Sequence, residues 1–355
     1  MDGEEQARFV VSAALHHSSL TFWQDSTTTS FSNSTVWKAT SEEDDSAKLS
    51  FSRAYTLTLS PQIIYTKSKL LSQLVSSKVY RQLEFQAVGN WWIYDDETLR
   101  RLPNGREDIF QDKSIDNKSK RGLMKFLKFV IDHDNQHDTW QQHADEGLGP
   151  YLAQQYQLPE SLQKVLTALT LSLRSSEQTP VKWALPRISR HLTSIGVFGP
   201  GFGSVIPKWG GGSEIAQVAC RAGAVGGGVY ILGTGVQSHT DSGTVATGQL
   251  EVTLSNGDVV KTARLIGHGS QAQEAATVSK LVVIVANPLS TLFESTVEGS
   301  PPSAVSVVTF PPGSIAHRDI VQEHPIYIMA HSNETGECPA GQSKSTPEFL
   351  LLFDF

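Results

Sequence analysis

Hydrophobic positions fall into three regimes: unpatterned at the start of the chain, helically spaced in the middle, and gathered into short runs towards the end. Residues 25–35 and the acidic run 41–46 are polar and without period, which predicts loop or disorder. Order is expected from about Arg53, through an extended segment, a helix over 67–75 and a strand over 80–88. Over 119–131, Leu123, Phe126, Leu127 and Val130 return every three or four residues. Lys120, Arg121, Lys125 and Lys128 take the other faces, so the segment reads as an amphipathic helix. Further helices are expected over 149–157, from Pro159, which suits a first helical position, and from Pro186 to about Ile195. The stripe of the second is Leu162, Val165, Leu166, Leu169 and Leu173.

Beyond Gly196 the pattern changes. Residues 199–212 read as a loop. Ser213 is expected to cap a helix running through Val225, which Gly226-Gly227-Gly228 ends. Strands are expected over 229–232, 249–255, 259–266, 281–286, 304–310 and 326–331, with Asn256-Gly257 turning a hairpin. The order suggests an α/β (α+β) protein of two domains. Sheet segments 51–119 and 196–342 flank a helical domain, 120–195, after a poorly ordered 1–50.

With 355 residues the chain is long enough for two such cores, and 39% hydrophobic against 18% charged residues excludes wholesale disorder. A net charge of −7 argues against a nucleic-acid partner. Two cysteines, Cys220 and Cys338, cannot build a disulfide framework. The acidic start, and apolar runs too short to span a bilayer, predict a soluble cytoplasmic protein.

Motifs for chemistry are sparse. The glycine-rich stretches contain neither G-x-G-x-x-G nor a P-loop, so tight turns compete with nucleotide binding. His133, His137 and His143, with Asp132, Asp134 and Asp138, are open to a metal site or a solvated helix end. The helix from Ser213 places Ile215, Val218, Ala222 and Val225 on one face and Glu214, Gln217 and Arg221 on another. Glu214 and Arg221 then stand about 10 Å apart, either as a surface ion pair or as an unobstructed docking stripe. The basic helix over 119–131 is open to a core role or to contact with a lipid or partner, and Trp91-Trp92-Ile93-Tyr94 to a core strand or a peptide-binding edge.

One segment carries a family resemblance. Ser213-Glu214-Ile215-Ala216-Gln217-Val218-Ala219-Cys220-Arg221, followed by Ala224-Val225-Gly226-Gly227-Gly228-Val229-Tyr230, resembles the central signature of the Rab escort protein and Rab GDP-dissociation inhibitor superfamily. Arg53-Ala54-Tyr55, Tyr80-Arg81-Gln82-Leu83-Glu84-Phe85 and Lys125-Phe126-Leu127-Lys128-Phe129-Val130 are similar to further family segments, and the late stretches resemble escort proteins more than inhibitors.

The resemblance implies a GDP-dissociation-inhibitor-like fold. A mixed sheet domain related to FAD-dependent monooxygenases would stand beside a smaller helical domain. It implies a non-catalytic accessory role without cofactor: binding GDP-bound Rab GTPases, presenting them to the Rab geranylgeranyltransferase heterodimer, and delivering the geranylgeranylated product to membranes. Glu214, Gln217, Arg221 and Tyr230 would bind the Rab, and Tyr94, Leu99 and Leu102 its C-terminal tail. Phe126, Val130, Leu152, Leu166 and Leu169 would hold the lipid, and helices near 151–163 would face the transferase. The alternatives are an inhibitor that recycles prenylated Rabs and a flavin oxidoreductase of the same fold. Residues 1–50 match neither the family's opening strand nor its glycine-rich turn, and 343–355 look unrelated. The chain thus resembles a member truncated at both ends, with an exposed sheet edge.

Overall fold

A computed structural model describes residues 10–11, 50–56, 58, 61–103, 105–241, 250–266, 278–295, 299–317 and 320–350. The polar segments 25–35 and 41–46 lie outside the described residues. The chain opens with β1 (Val10–Val11), β2 (Ile64–Tyr65), α1 (Lys69–Ser76), β3 (Phe85–Asp95) and β4 (Thr98–Arg101). Helices follow: α2 (Arg106–Gln111), α3 (Asn117–Ile131), α4 (His137–Trp140), α5 (Leu148–Tyr156), α6 (Glu160–Ala168) and α7 (Val181–Ser194). Then come β5 (Ser204–Pro207), α8 (Gly212–Val225), β6 (Val229–Tyr230), β7 (Val236–Asp241), β8 (Leu250–Leu254) and β9 (Val259–Thr262). The last strands are β10 (Val278–Lys280), β11 (Val283–Val285), β12 (Val305–Phe310), β13 (Ala316–His317), β14 (Ile320–Val321), β15 (Ile326–His331) and β16 (Ser343–Leu350).

Contacts divide the chain into two compact units, one of residues 18–212 and 277–355, the other of 1–17 and 213–276. This differs from the partition expected from sequence. Helices α3 and α5 to α7 belong to the same unit as the main sheet, because their apolar faces and those of its strands enter one core. Among the described residues that sheet has nine strands, ordered β10-β16-β15-β12-β3-β5-β2, with β11 also on β16 and β4 also on β3. It is mixed: β12 and β3 run parallel, and the other pairs are antiparallel. Trp91 and Ile93 of β3 and Val305 and Val307 of β12 pack with Phe126 and Val130 of α3, Leu152 of α5, Leu166 of α6 and Leu185 and Ile188 of α7.

Helix α3 shows how the sequence specifies this. Asp116 Oδ1 accepts from the Lys118 and Ser119 backbone N–H groups at 2.8 and 3.0 Å, capping the start. The expected stripe of Leu123, Phe126, Leu127 and Val130 is buried. At Gly122 an added Cβ would lie 2.3 Å from the Tyr156 carbonyl oxygen, so glycine lets the end of α5 approach.

Elsewhere the structure moves the expected boundaries. The strand expected over 80–88 starts at Phe85, after a 3-10 turn over Val79–Gln82, and continues to Asp95. Pro159 is the N-cap of α6, ahead of its first helical residue, and that helix ends at Ala168. Pro186 lies inside α7, which begins five residues earlier than expected because Val181, Ala184, Leu185 and Ile188 are all fully buried. The loop expected over 199–212 contains a strand, β5, whose four residues are buried. Of residues 1–50, expected to be poorly ordered and strandless, Val10 and Val11 form β1 and pair in parallel with Val229 and Tyr230; two β-branched residues suit that role. Among the described residues the smaller unit also holds the β7–β8–β9 sheet, in which Asn256-Gly257 makes the expected turn with Gly257 at φ +89°.

The segment 343–355, expected to be an unrelated tail, supplies β16, which pairs with β15, β10 and β11. Register places Lys344 opposite His331. Lys344 Nζ donates to Glu337 Oε1 at 2.5 Å, Thr58 Oγ1 donates to the same oxygen at 3.0 Å, and His331 Nδ1 meets Oε2. All three ionisable groups are buried. Burial pushes the Glu337 carboxyl up, but His331 and Lys344 together outweigh it and hold the group well below its ordinary 4.5.

Removing one member of such a buried group leaves an uncompensated charge. Lys344→Ala should therefore lower unfolding stability by about 3–5 kcal/mol in urea titrations at neutral pH. The unfolded chain takes up a proton near pH 4.5 that folded Glu337 refuses. Wild-type stability from this site should be complete above that pH and fall below it, with a shallower fall in the variant.

Candidate functional site

Helix α8 carries the stripe expected to bind a GTPase. Its end is closed by a Schellman arrangement: Gly228 N donates to Gly223 O at 2.8 Å, Gly227 N donates to Ala224 O at 3.0 Å, and Gly227 has φ +89°. Ser213, expected as the cap, sits inside the first turn because the helix begins at Gly212. Tyr230 returns along the helix, its hydroxyl 2.1 Å from where a Cβ on Gly223 would be.

Glu214, Gln217 and Arg221 share one face, as their spacing requires. Gln217 Nε2 donates to Glu214 Oε1 at 3.4 Å. Glu214 is half-buried, and burial raises its carboxyl above the ordinary value; Gln217 and Arg221 are exposed. The ion pair open on spacing is not formed, because two helical turns separate the groups. No described residue of α8 is buried. On its apolar side Ile215 and Val218 are half-covered, and Val225 is 86% exposed.

The residues expected to grip a tail separate into two environments. Tyr94 and Leu99 are cross-strand partners of β3 and β4. The Tyr94 ring lies 5.2 Å from that of Phe310, and Leu99 is exposed. Leu102 turns inward instead: its N–H donates to Trp91 O at 2.7 Å and its side chain is 4% exposed. It is core, not part of the loop surface.

Leu102, Leu166, Leu169 and His191 line a cavity of about 80 Å³, with Arg100 and Arg101 among its polar lining. A cavity of about 150 Å³ accommodates benzene, so this one is far too small for a twenty-carbon isoprenoid. Phe126, Val130 and Leu152 are fully buried core and do not line it. A lipid held by the five expected residues thus requires the helices to part. Sequence spacing gave no signal for Arg101 or His191 at this cavity, since a lone histidine on an amphipathic helix has many roles. His191 stands edge-on to Trp91 at 4.7 Å and Tyr65 at 5.9 Å, its Nδ1 unpartnered among the described residues. Burial pulls its pKa down to about 4.

The histidines at 133, 137 and 143 do not converge. His133 is buried with Nδ1 at 2.9 Å from Val130 O, and His143 Nδ1 meets Glu146 Oε1 at 2.9 Å. Among the described residues no group of three histidine, cysteine or acidic residues is placed to hold a metal ion, and no helix is long and apolar enough to cross a membrane.

This architecture recurs in solved structures. A Rab GDI of Plasmodium falciparum superposes with a TM-score of 0.59 at 17% identity, covering 86% of this chain and 69% of that one. An oxidoreductase of Methanosarcina mazei superposes with a TM-score of 0.53 at 11% identity, covering 82% and 66%. Both likenesses show the fold alone: a mixed sheet with helices, in the α/β class that the resemblance implied. Residues 15–340 match the GDP dissociation inhibitor (GDI) family, and the chain belongs to it. The Saccharomyces cerevisiae protein named "Rab proteins geranylgeranyltransferase component A" is 34% identical over 295 residues, 82% of this chain and 47% of the relative. The chain spans about half the length of the curated relatives it matches.

Two measurements check these environments. Leu102→Ala should lower stability by about 2–5 kcal/mol and Leu99→Ala by less than about 0.5 kcal/mol in chemical denaturation. Because His191 charges more readily unfolded than folded, stability should fall by about 3 kcal/mol as pH drops from 6.5 to about 4, and His191→Phe should remove that portion of the slope.

Proposed function

We propose that the chain is a Rab escort protein: it binds GDP-bound Rab GTPases, presents them to Rab geranylgeranyltransferase for prenylation, and delivers the product to membranes. The role is that of a cytosolic accessory component without a catalytic step of its own. The observation that carries this reading is the outward face of α8, where exposed Gln217 and Arg221 follow Glu214 on one stripe of the family's signature. A carboxylate and a forked guanidinium free of each other suit recognition of a folded protein surface. The name of the Saccharomyces cerevisiae relative, a geranylgeranyltransferase component, favours the escort over the recycling inhibitor.

In this reading Glu214, Gln217, Arg221 and Tyr230 bind the GTPase. Tyr94 and Leu99 meet its tail, with Leu102 as the buried support beneath. Phe126, Val130, Leu152, Leu166 and Leu169 shelter the geranylgeranyl group once their helices separate. A recycling inhibitor would bind prenylated Rab and ignore the transferase.

Arg221→Ala should weaken capture of a GDP-loaded Rab by about 2 kcal/mol or more while leaving circular dichroism and thermal stability unchanged, since the side chain is exposed. Equal recovery by wild type and variant in a pull-down would remove the platform. Stimulation of transfer to unprenylated Rab by the purified transferase distinguishes escort from inhibitor.

A further inference from the structure

Helix α3 contains five cations, Lys118, Lys120, Arg121, Lys125 and Lys128, and no carboxylate, in a chain of net charge −7. Its buried apolar stripe turns four of them outward: Lys118, Arg121, Lys125 and Lys128 are all exposed. Their spacing of three, four and three residues gathers them into an arc of about 80° running about 15 Å along the axis. Lys120 is directed elsewhere, donating to the Phe110 carbonyl oxygen at 2.9 Å.

Among the described residues the fold sets no carboxylate against this stripe; Lys125 Nζ lies 5.6 Å from the centre of the Tyr156 ring. None of the four forms an ion pair among the described residues. The helices packed against α3, α5 and α7, contain no acidic residue; α7 adds Lys182, Arg187 and Arg190. Carboxylates at the two ends are engaged locally. Asp116 caps the helix, Asp132 accepts from Asn135 and Gln136 at 2.6 and 3.0 Å, and Asp134 lies 3.3 Å from His133. Like charges at helical spacing repel, so the stripe is a standing electrostatic cost that an external anion would relieve. One exposed apolar side chain adjoins its C-terminal end: Ile131, next to Lys128 on the helix surface, is 45% exposed.

We propose that this face of α3 docks on an anionic lipid surface, with Lys118, Arg121, Lys125 and Lys128 against the headgroups and Ile131 entering the interface. A straight row of exposed cations without a shaped pocket, with an exposed isoleucine at its end, matches a planar, fluid array of negative charge better than one folded partner. The inference rests on the escort reading for its purpose. The opposite face of the same helix carries Phe126 and Val130, so docking would bring the proposed lipid-holding helices against the bilayer that receives the lipid.

Co-sedimentation of the full chain with vesicles, without any GTPase, tests it. Binding should require phosphatidylserine, be absent on pure phosphatidylcholine, and weaken with salt. Changing Lys118, Arg121, Lys125 and Lys128 together to Gln should lower it by about tenfold or more. The same charge change at Lys67, Lys69, Lys78 and Arg81, exposed on and near α1, should leave it within about twofold. Arginine in place of Lys118, Lys125 and Lys128 should retain binding, which separates lost charge from lost folding. Equal binding by the Gln variant, equal binding to neutral vesicles, or no vesicle binding by a wild-type chain that captures GDP-loaded Rab would overturn this inference and leave the escort reading standing. Charge-dependent vesicle binding by a chain that captures no Rab would sink the escort reading alone.

Discussion

Burial of one stripe of α3 is the constraint on which the larger unit depends. Each of Leu123, Phe126, Leu127 and Val130 contributes on the order of 1.5–3 kcal/mol when fully removed from water, and together they fix the rotation of the helix. Turning it by one residue, about 100°, would drive Lys125 or Lys128 into the core at a cost of several kcal/mol. The inner face therefore decides the outer one. It also decides how a lipid could enter. The residues proposed to shelter an isoprenoid are the ones that hold α3, α5 and α6 to the sheet, so under that proposal lipid would substitute for helix contacts instead of filling a ready space. At about 0.8 kcal/mol per buried methylene, a twenty-carbon chain offers enough apolar area to replace several leucine contacts, which makes such an exchange energetically balanced.

Helix α8 obeys a different economy. Its alanines and glycines bury little, and its stop is set by backbone hydrogen bonds at Gly227 and Gly228 more than by packing. Gly223 lies against the Tyr230 hydroxyl, which a Cβ at that position would displace. A signature that looks like small-residue filler in sequence is thus geometrically tight at its C-terminal end, while its polar stripe stays clear. Here the charged groups do not stabilise the fold by pairing; they remain available to a partner.

Much of this was legible in the sequence wherever local rules and burial agree. Helices α1, α3, α5 and α8 follow from 3.6-residue periodicity with polar residues or glycines at their ends, and the Asn256-Gly257 hairpin follows from turn chemistry. Misreadings arose where distant contacts overrule local signals. β5 follows Gly201 and Gly203 and ends in Pro207 itself, yet all four of its residues are buried between β3 and β2. Pro186 looked like a start but is held inside α7 by the apolar residues on either side. At the site, the Glu214–Gln217–Arg221 stripe was readable because spacing alone defines a helix face. Leu102 and the five lipid residues were ambiguous because a core stripe and a lipid-facing stripe have the same period, and only the packing tells them apart.

The strand from Ser343 to Leu350 shows most clearly why resemblance and stability must be argued separately. Its sequence, polar and interrupted by Pro347, carries no family signal, and the family match ends at residue 340. Glu337, inside the matched region, is nonetheless a buried carboxylate, and a buried carboxylate without a cation is among the costliest groups a core can hold. His331, inside the matched region, meets one carboxylate oxygen, and Lys344, from outside it, donates to the other across a register that also pairs β16 with the whole length of β15. The buried hydrogen bond from Lys344 and the β15–β16 ladder together make the unfamiliar segment part of the fold, whatever its ancestry.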